Sequence, residues 1–381
     1  MIETMFNLPT KIVAKPGIYL QLAEFLNSDV STLIITDKGL VKTGVVDKVK
    51  SILVEKKINV EIYSDVEPNP NEEVVNKITT LIKKNSFKQV IALGGGSTID
   101  AAKAACCLST NEGLLEDYQW NNRSFENLPL PLIAIPTTAG TGSEVTGVAV
   151  ITSRNIKKGI NAKEIFPKIA LVDAQLMTSL PPYLTAITGM DALSHAIESY
   201  LGLNANPFTD GLAVESIKLI SKFLLRAYAN GNDLKARHNM AVASTMAGLS
   251  MDQAGLGIVH SLASPVCAYL HWSHGLACSI LLPYGMKYNL IARRSKMAYI
   301  AELMGANVFG LPEREIAQMA VESVLALEKD LNLDKIIEEK IKVKPDLDEF
   351  GKNAASMFLI KNNPRQASPQ DCSEIFSEIF R

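Results

Sequence analysis

Short apolar runs alternate with amphipathic segments through the first half of the chain. Runs rich in branched apolar residues are typical of buried strands, and 3.6-residue periodicity between them predicts helices. The predicted strands are Thr32–Thr36, Val60–Tyr63, Gln89–Leu93, Ile133–Pro136 and Ile169–Val172, and the predicted helices include Val45–Val54 and Glu72–Lys84. Alternation of this kind predicts a parallel sheet with helical crossovers.

The pattern changes at Leu180–Tyr183, where two consecutive prolines interrupt the chain. Beyond this point helical periodicity dominates and strand-like runs become rare. The predicted helices are Leu184–Gly202, Asp210–Tyr228, Lys235–Met251 and Gly257–Leu270. We therefore predict a Rossmann-like α/β domain with a parallel sheet over residues 1–180, followed by an all-helical domain over residues 181–381.

Composition narrows the functional classes. The 38 basic and 40 acidic residues give a formal net charge of −2, which offers no electrostatic attraction to nucleic acid or an anionic membrane. No apolar stretch approaches the ~18 residues of a membrane-spanning helix. The segment Met1–Asn7 lacks the basic and apolar regions of a signal peptide. Five cysteines without a CxxC pair favour free thiols and a reducing cytoplasm.

A glycine-rich turn, Gly94–Ser97, joins the strand Gln89–Leu93 to a predicted helix over Thr98–Cys107. Glycines let the backbone approach a phosphate, and the amides and dipole at a helix N-terminus attract its charge. The turn therefore predicts an anion-binding loop. A plain tight turn is the alternative, because the G-x-G-x-x-G fingerprint is absent.

Two further stretches follow predicted strands. Asp37 comes directly after the first strand, at the edge where doubly wound sheets bind nucleotides. Its carboxylate could accept hydrogen bonds from ribose hydroxyls and repel a 2′-phosphate, although a capped strand end explains Asp37 equally well. The hydroxyl-rich stretch Thr137–Thr146 offers donors to a phosphate, ribose or carboxamide.

Candidate metal ligands occur in the helical half. Asp191 and His195 are four residues apart in a segment without breakers, which would place them one turn apart on one helix face. A buried Asp–His hydrogen bond would explain this pair alone. His260 and His274, however, lie in another strongly apolar region of a chain with only five histidines. Because a buried imidazole must be paired or ligated, the four residues together favour a site for a divalent transition metal.

Three motifs carry a family resemblance. They are Gly-Met-Asp-Ala-Leu-x-His-Ala-x-Glu at 189–198, Gly-Leu-Gly-x-x-His at 255–260, and His-Gly-x-x-x-x-x-x-Leu-Pro at 274–283. These motifs resemble those of the iron-containing (group III) alcohol dehydrogenase family. The resemblance to this family covers essentially the full length of the chain. The resemblance implies that Asp191, His195, His260 and His274 bind the metal. It also implies NAD as cofactor and Fe²⁺ as the favoured metal, although Zn²⁺ accepts the same ligands.

The resemblance extends to the cofactor site. The stretch Gly-Gly-Gly-Ser-x-x-Asp-x-x-Lys, which ends at Lys103, is similar to the family's pyrophosphate loop. In the family the residue at the position of Asp37 separates NAD from NADP users, and the Thr137–Thr146 loop lies against the cofactor. The implied cofactor-binding residues are Asp37, Gly94, Gly95, Gly96, Ser97, Asp100, Thr137, Thr138, Thr141, Thr146 and Lys157.

Two positions depart from the family pattern. Ser264 stands where the family has a non-ligating histidine near the metal and the nicotinamide, and Cys267 replaces a glycine. Residues 260, 264 and 267 share one helix face, so both changes are expected to meet the active site. His271, three residues before His274, could replace the missing imidazole, or it could simply be a solvent-exposed histidine. Ser264 and His271 are therefore the catalytic candidates.

These features predict a metal-dependent, NAD(H)-linked oxidoreductase that interconverts a small alcohol and its aldehyde or ketone by hydride transfer in the cleft between domains. Apolar residues around the histidines favour a small, weakly polar substrate. One alternative is a lyase that resembles dehydroquinate synthase, which would need cationic residues near the metal. The other is a binding protein that lost catalysis through Ser264. We also expect a homodimer or higher homo-oligomer.

Overall fold

The computed structural model describes residues 6–154 and 156–380. Residues 1–5, on which the exclusion of a signal peptide partly rests, lie outside the described residues. The chain forms two compact units. The first is Asn7–Leu180, and the second begins at Pro181 and also includes Phe6.

The first unit is built on a six-stranded parallel sheet and a separate antiparallel hairpin. The strands are β1 (Lys11–Ala14), β2 (Thr32–Ile35), β3 (Val60–Tyr63), β4 (Gln89–Gly94), β5 (Leu132–Pro136), β6 (Val148–Ser153), β7 (Ile156–Asn161) and β8 (Ile169–Val172). The sheet order is β1-β8-β5-β4-β2-β3, and β6 pairs with β7. The order reverses between β2 and β4, and such a reversal opens a ligand-binding crevice at the carboxyl ends of the strands.

Helices cover both faces of this sheet. They are α1 (Lys38–Lys42), α2 (Val45–Glu55), α3 (Glu72–Asn85), α4 (Gly96–Thr110) and α5 (Leu115–Gln119). Leu33 of β2 lies in a core with residues of α3 and α4, whereas the next residue, Ile34, lies in a second core with residues of α2. Because successive side chains enter opposite cores, all four residues of β2 are buried.

The second unit is built from helices and contains no strand among its described residues. Its α-helices are α6 (Pro182–Leu201), α7 (Pro207–Ala229), α8 (Leu234–Ala254), α9 (Ile258–Leu270), α10 (His274–Asn289), α11 (Arg294–Leu303), α12 (Glu313–Asp330), α13 (Leu333–Lys340), α14 (Leu347–Ser356) and α15 (Pro369–Ile379). Helix α6 packs against α7, α8 and α10, and almost all its residues from Thr185 onward are buried. None of the described helices combines the length and apolar character needed to cross a membrane.

The predicted fold class, a parallel-sheet α/β part followed by an all-helical part, is confirmed. Neither β1 nor the β6–β7 hairpin was predicted, because four residues at a sheet edge and a partly exposed hairpin give weak apolar patterns. The charged stretch Glu328–Lys344 is divided between two helices. Asn332, with a left-handed φ of 55°, separates α12 from α13, and Glu328 is only 5% exposed.

Candidate metal centre and nucleotide-binding loops

Helix α6 presents Asp191 and His195 on one buried face, one turn apart. A proline starts the helix, at a position where no amide hydrogen bond is lost. Gly189 lets α7 come close, since an added Cβ would lie 2.2 Å from Cδ1 of Leu224. This packing buries both polar side chains within the helical unit, where only specific partners can compensate their lost hydration.

Helices α9 and α10 supply two more histidines from their first turns. His260 is the third residue of α9, which follows Gly257, and His274 is the first residue of α10. At Gly275 an added Cβ would lie 2.5 Å from the carbonyl oxygen of Ile187 in α6. The glycine therefore permits a backbone contact between α10 and α6 that sets the position of His274.

The four side chains converge on one point. Their ligand atoms all lie within 4.8 Å of one another. Oδ1 of Asp191 lies 3.7 Å from Nε2 of His195 and 3.7 Å from Nε2 of His274. It lies 3.9 Å from Nε2 of His260, whose ring stacks on that of His195 with centroids 4.8 Å apart. No second group of three or more such ligands occurs within residues 6–154 and 156–380.

The donor set fits a divalent transition metal. Oδ1 of Asp191 is buried and has no hydrogen-bond partner among the described residues, which is costly unless a cation binds there. Burial raises the pKa of this carboxyl, but the neighbouring His195, His274 and His260 outweigh burial, so the pKa lies below its usual value. The anionic form therefore dominates. One carboxylate and three imidazole nitrogens suit Fe²⁺ or Zn²⁺.

Glu198 orients His260 from the other side of its ring. Oε2 of Glu198 accepts a hydrogen bond from Nδ1 of His260 at 2.5 Å, and Oε1 accepts one from the amide of Val259 at 2.7 Å. With the proton on Nδ1, the lone pair of Nε2 faces Asp191. No role was predicted for Glu198, although its position seven residues after Asp191, on the same helix face, could have indicated one.

Two asparagines fix the turn that precedes α9. The side-chain amide of Asn362 donates to the carbonyl of Ala254 at 2.8 Å. Oδ1 of Asn363 accepts a hydrogen bond from the amide of Ile258 at 3.3 Å. These long-range bonds set the direction in which α9 starts, and so they help to place His260.

The two catalytic candidates lie in different surroundings. Ser264 is partly buried on α9, one turn beyond His260, whereas His271 follows α9 with a left-handed φ of 54° and is exposed. The side chain of His274 is 37% exposed, against 4% for those of His195 and His260. The metal donors are therefore most accessible from the side of His274.

The glycine loop lies where the strand order reverses. Strand β4 ends at Gly94, and Gly95, the N-cap of α4, has no side chain with which to cap the first amides. Those amides suit a phosphate group. An added Cβ on Gly96 would lie 2.7 Å from Cγ2 of Thr141, and the amide of Thr137 donates to the carbonyl of Gly94 at 3.0 Å. The glycine loop, Gly94–Ser97, and the threonine loop, Thr137–Thr146, therefore contact each other.

Asp100 is engaged inside the protein. Its Oδ1 accepts a hydrogen bond from the hydroxyl of Ser143, and its Oδ2 accepts one from the amide of Val150 at 3.0 Å. Burial raises the pKa of this carboxyl, and the nearby ammonium of Lys103 acts against that increase. These contacts fasten α4 to the threonine loop and to the hairpin.

Lys103 is also internal, with an exposure of 1%. Its Nζ donates to the carbonyl oxygens of Thr146 and Val148 at 2.8 and 2.9 Å, and it lies 3.2 Å from the hydroxyl of Thr146. Since all three ammonium donors can be used in this way, the buried charge is well solvated by the protein. Lys103 thus holds the end of the threonine loop in place through the carbonyl and hydroxyl oxygens of Thr146.

Asp37 and Lys157 lie in polar surroundings. Oδ1 of Asp37 accepts a hydrogen bond from the amide of Leu40 at 2.8 Å, so one carboxylate oxygen caps α1. Lys157 on β7 donates to the side chain of Asn69 at 3.0 Å, and the amide of Asn69 donates to the hydroxyl of Ser97 at 3.3 Å. Asn69, which was not predicted as part of a site, therefore links Lys157 to the glycine loop.

A glycine loop at the strand-order reversal and a buried Asp–His₃ cluster define a nucleotide-binding, metal-dependent enzyme. Family models identify it further. The model described as iron-containing alcohol dehydrogenase matches residues 9–174, and the model of the C-terminal part of the Fe-containing alcohol dehydrogenase family matches residues 185–380. The chain belongs to the iron-containing alcohol dehydrogenase family.

Individual relatives agree with this family. The chain is 39% identical over 350 residues to the NAD-dependent methanol dehydrogenase of Bacillus methanolicus, covering 91% of this chain and 92% of that protein. It is 41% identical over 307 residues to long-chain-alcohol dehydrogenase 1 of Geobacillus thermodenitrificans, covering 80% and 78%. A crystal structure of 1,3-propanediol oxidoreductase superposes with a TM-score of 0.93 at 35% identity, covering 99% and 100%.

The predicted family and reaction class are thereby confirmed. The protein is a metal-dependent, NAD-linked oxidoreductase of the alcohol dehydrogenase type. The structure brings the four predicted metal ligands together and places the glycine loop beside the threonine loop. The assignment of individual residues to the metal, to NAD and to catalysis remains a prediction.

Proposed function

We propose that this enzyme interconverts a small alcohol and its aldehyde or ketone with NAD(H), and that Asp191, His195, His260 and His274 hold a catalytic Fe²⁺ ion. The observation that carries the proposal is the buried Oδ1 of Asp191, which faces three imidazole nitrogens at 3.7–3.9 Å. When bound, the divalent ion supplies Lewis acidity towards the substrate oxygen, and NAD supplies the hydride acceptor. Zn²⁺ is the alternative metal, because it accepts the same donors.

The residues of the helical unit prepare this centre before any ligand binds. Glu198 keeps the proton of His260 on Nδ1, and the contact between Gly275 and Ile187 holds α10 against α6. Donors held in this way need little rearrangement to bind a cation. The exposed side of His274 is the side from which the substrate oxygen approaches.

The cofactor site divides into contacting and supporting residues. Backbone amides of Gly95, Gly96 and Ser97 bind the pyrophosphate, and Thr137, Thr138 and Thr141 line the adjoining loop. Asp37 binds a ribose hydroxyl through the carboxylate oxygen that does not cap α1. Lys157 is held near the glycine loop by its hydrogen bond to Asn69, whose amide contacts Ser97. Asp100, Lys103 and Thr146 support these loops from inside the unit.

The substrate is small and weakly polar. The residues that flank the metal donors in sequence, among them Ala192, Ala196 and Val259, are apolar and buried. An anionic substrate would need cationic partners, and none of these three flanking residues is cationic. Ser264 leaves space one turn from His260, and His271 is the remaining candidate for proton transfer. The substrate names of the relatives range from methanol to long-chain alcohols.

Metal analysis combined with an NADH-consumption screen tests this proposal. We expect about one metal ion per chain and NADH oxidation with short aldehydes, lost on chelation and restored by Fe²⁺ or Zn²⁺. A metal-free protein, or one inactive towards aldehydes, diols and hydroxy acids alike, would contradict it.

The same screen applied to Ser264→His tests the role of the serine. A positioned acid–base group contributes about 10²–10⁴-fold, so we expect faster reduction of short aldehydes at unchanged metal content. Loss of activity with every aldehyde would instead identify Ser264 as space for the native substrate. Equal rates would remove this position from the chemistry.

A further inference from the structure

Cys278 is buried on α10 next to the proposed metal ligands. It lies one helical turn after His274, and its Sγ is 3.6 Å from Nε2 of His274 and 3.7 Å from Nε2 of His260. Both nitrogens are the atoms that face Asp191. The sulfur therefore faces the same point as the carboxylate oxygen that lacks a hydrogen-bond partner among the described residues.

These separations match those of donors that share one metal ion. With metal–nitrogen bonds of about 2.05 Å and a metal–sulfur bond of about 2.3 Å, the angles of about 90–120° in a five-coordinate centre separate nitrogen from sulfur by about 3.1–3.8 Å. The thiol of Cys267 provides a contrast, because it lies 4.0 Å from the other ring nitrogen of His274, Nδ1. Of the two cysteines near His274, only Cys278 approaches the nitrogens of the metal site.

We propose that Cys278 is a fifth ligand of the metal centre and provides a sulfur donor to it. This inference rests on the metal centre of the proposed function. Coordination replaces the S–H proton, which passes to the solvent, with a bond from sulfur to the metal. Because thiolates favour soft cations, Cys278 raises affinity for Zn²⁺ and Cd²⁺ more than affinity for Mn²⁺.

Cobalt absorption tests the sulfur bond directly and without turnover. The full-length protein is stripped of metal and titrated with Co²⁺, and the near-ultraviolet band of sulfur-to-cobalt charge transfer is followed together with the bound Co²⁺. We expect the band in the wild type and its loss in Cys278→Ser and Cys278→Ala. Cys267→Ala, the matched control beside the same histidine, should retain the band.

Competitive binding gives a second readout. We expect Cys278→Ser to lower Cd²⁺ affinity by about tenfold or more while changing Mn²⁺ affinity by less than about threefold, since ligand-sphere changes cost about 10–100-fold. A wild type that binds Co²⁺ without the band, or a band that persists in Cys278→Ser, would overturn the sulfur ligand but leave the four-residue centre intact. Failure of the wild type to bind Co²⁺ would overturn the centre itself and the sulfur ligand with it.

Discussion

The proposed metal centre and the proposed nucleotide-binding loops depend on different parts of the chain. In the proposed centre, side chains supply the candidate ligand atoms, which converge from α6, α9 and α10 to within 4.8 Å of one another. In the loops, the proposed phosphate ligands are backbone amides, while Asp100 and Lys103 are already bound to neighbouring groups of the protein. One site depends on which residues are present, and the other depends on how closely the backbone can be approached.

This difference predicts different sensitivities to substitution. A histidine of the centre cannot be replaced without losing a donor atom. In the loops a conservative change that adds volume is the harmful one, because it moves the backbone. The predictions below separate the two sites by measuring metal content and NADH affinity in the same variants.

Replacement of His195 by alanine should have the largest effect. The variant loses one of four donors, so we expect its bound metal to fall below about a tenth of the wild-type content. Activity should fall at least about 10³-fold, because the metal stabilises the transition state by several kcal/mol. NADH affinity should stay within about twofold. Metal analysis and NADH fluorescence titration are the measurements. His238→Ala, a histidine of α8, is the control. Full metal content in His195→Ala would remove this residue from the ligand set.

Gly96→Ala should have the opposite pattern. Its Cβ would meet Thr141 at 2.7 Å, and overpacking of this kind costs about 1–3 kcal/mol. If this cost falls on the loop, NADH affinity drops about 5–150-fold at unchanged metal content. Gly211→Ala is the matched control, because a Cβ added there would point into open space beside its helix. Unaltered NADH affinity in Gly96→Ala would show that phosphate does not bind at this turn.

Asp37→Gly should have a smaller effect, on cofactor choice alone. Removal of the charge relieves repulsion of a 2′-phosphate by about 1 kcal/mol or more, which predicts a shift towards NADP of about fivefold or more. The ratio of kcat/KM for NADPH and NADH measures the shift. A wild type that already uses both cofactors equally would contradict the role of Asp37.

Much of the fold was predictable because its strands are buried on both faces. Continuous apolar runs such as Val90–Leu93 give a clear pattern when helices cover both sides. Strand β1 and the hairpin lack this pattern, because these edge or partly exposed strands also contain polar, exposed residues. The predicted domain boundary at the two prolines rests on the same contrast between periodicities.

The site was predictable only as far as residue type carries it. The spacing of Asp191 and His195 predicted that they share one helix face, and the structure confirms this. The direction of Cys278 towards Nε2 of His260, in contrast, appears only in the packed helices. The internal engagement of Lys103 was likewise invisible, because a lysine in a glycine-loop motif is typical of a phosphate ligand. Contacts across more than 40 residues decide its role.

The buried carboxyl of Glu328 couples folding of this protein to proton uptake. Burial raises its pKa from 4.5 to about 8, and its Oε1 has no partner among the described residues. Between these pH values the folded chain keeps a proton that the unfolded chain has released, so the free energy of unfolding falls as the pH rises. Glu328→Gln removes this dependence. Its stability relative to the wild type should grow by about 2–3 kcal/mol between pH 6 and pH 9 in urea unfolding. A constant difference would mean that water reaches the carboxyl in the folded protein.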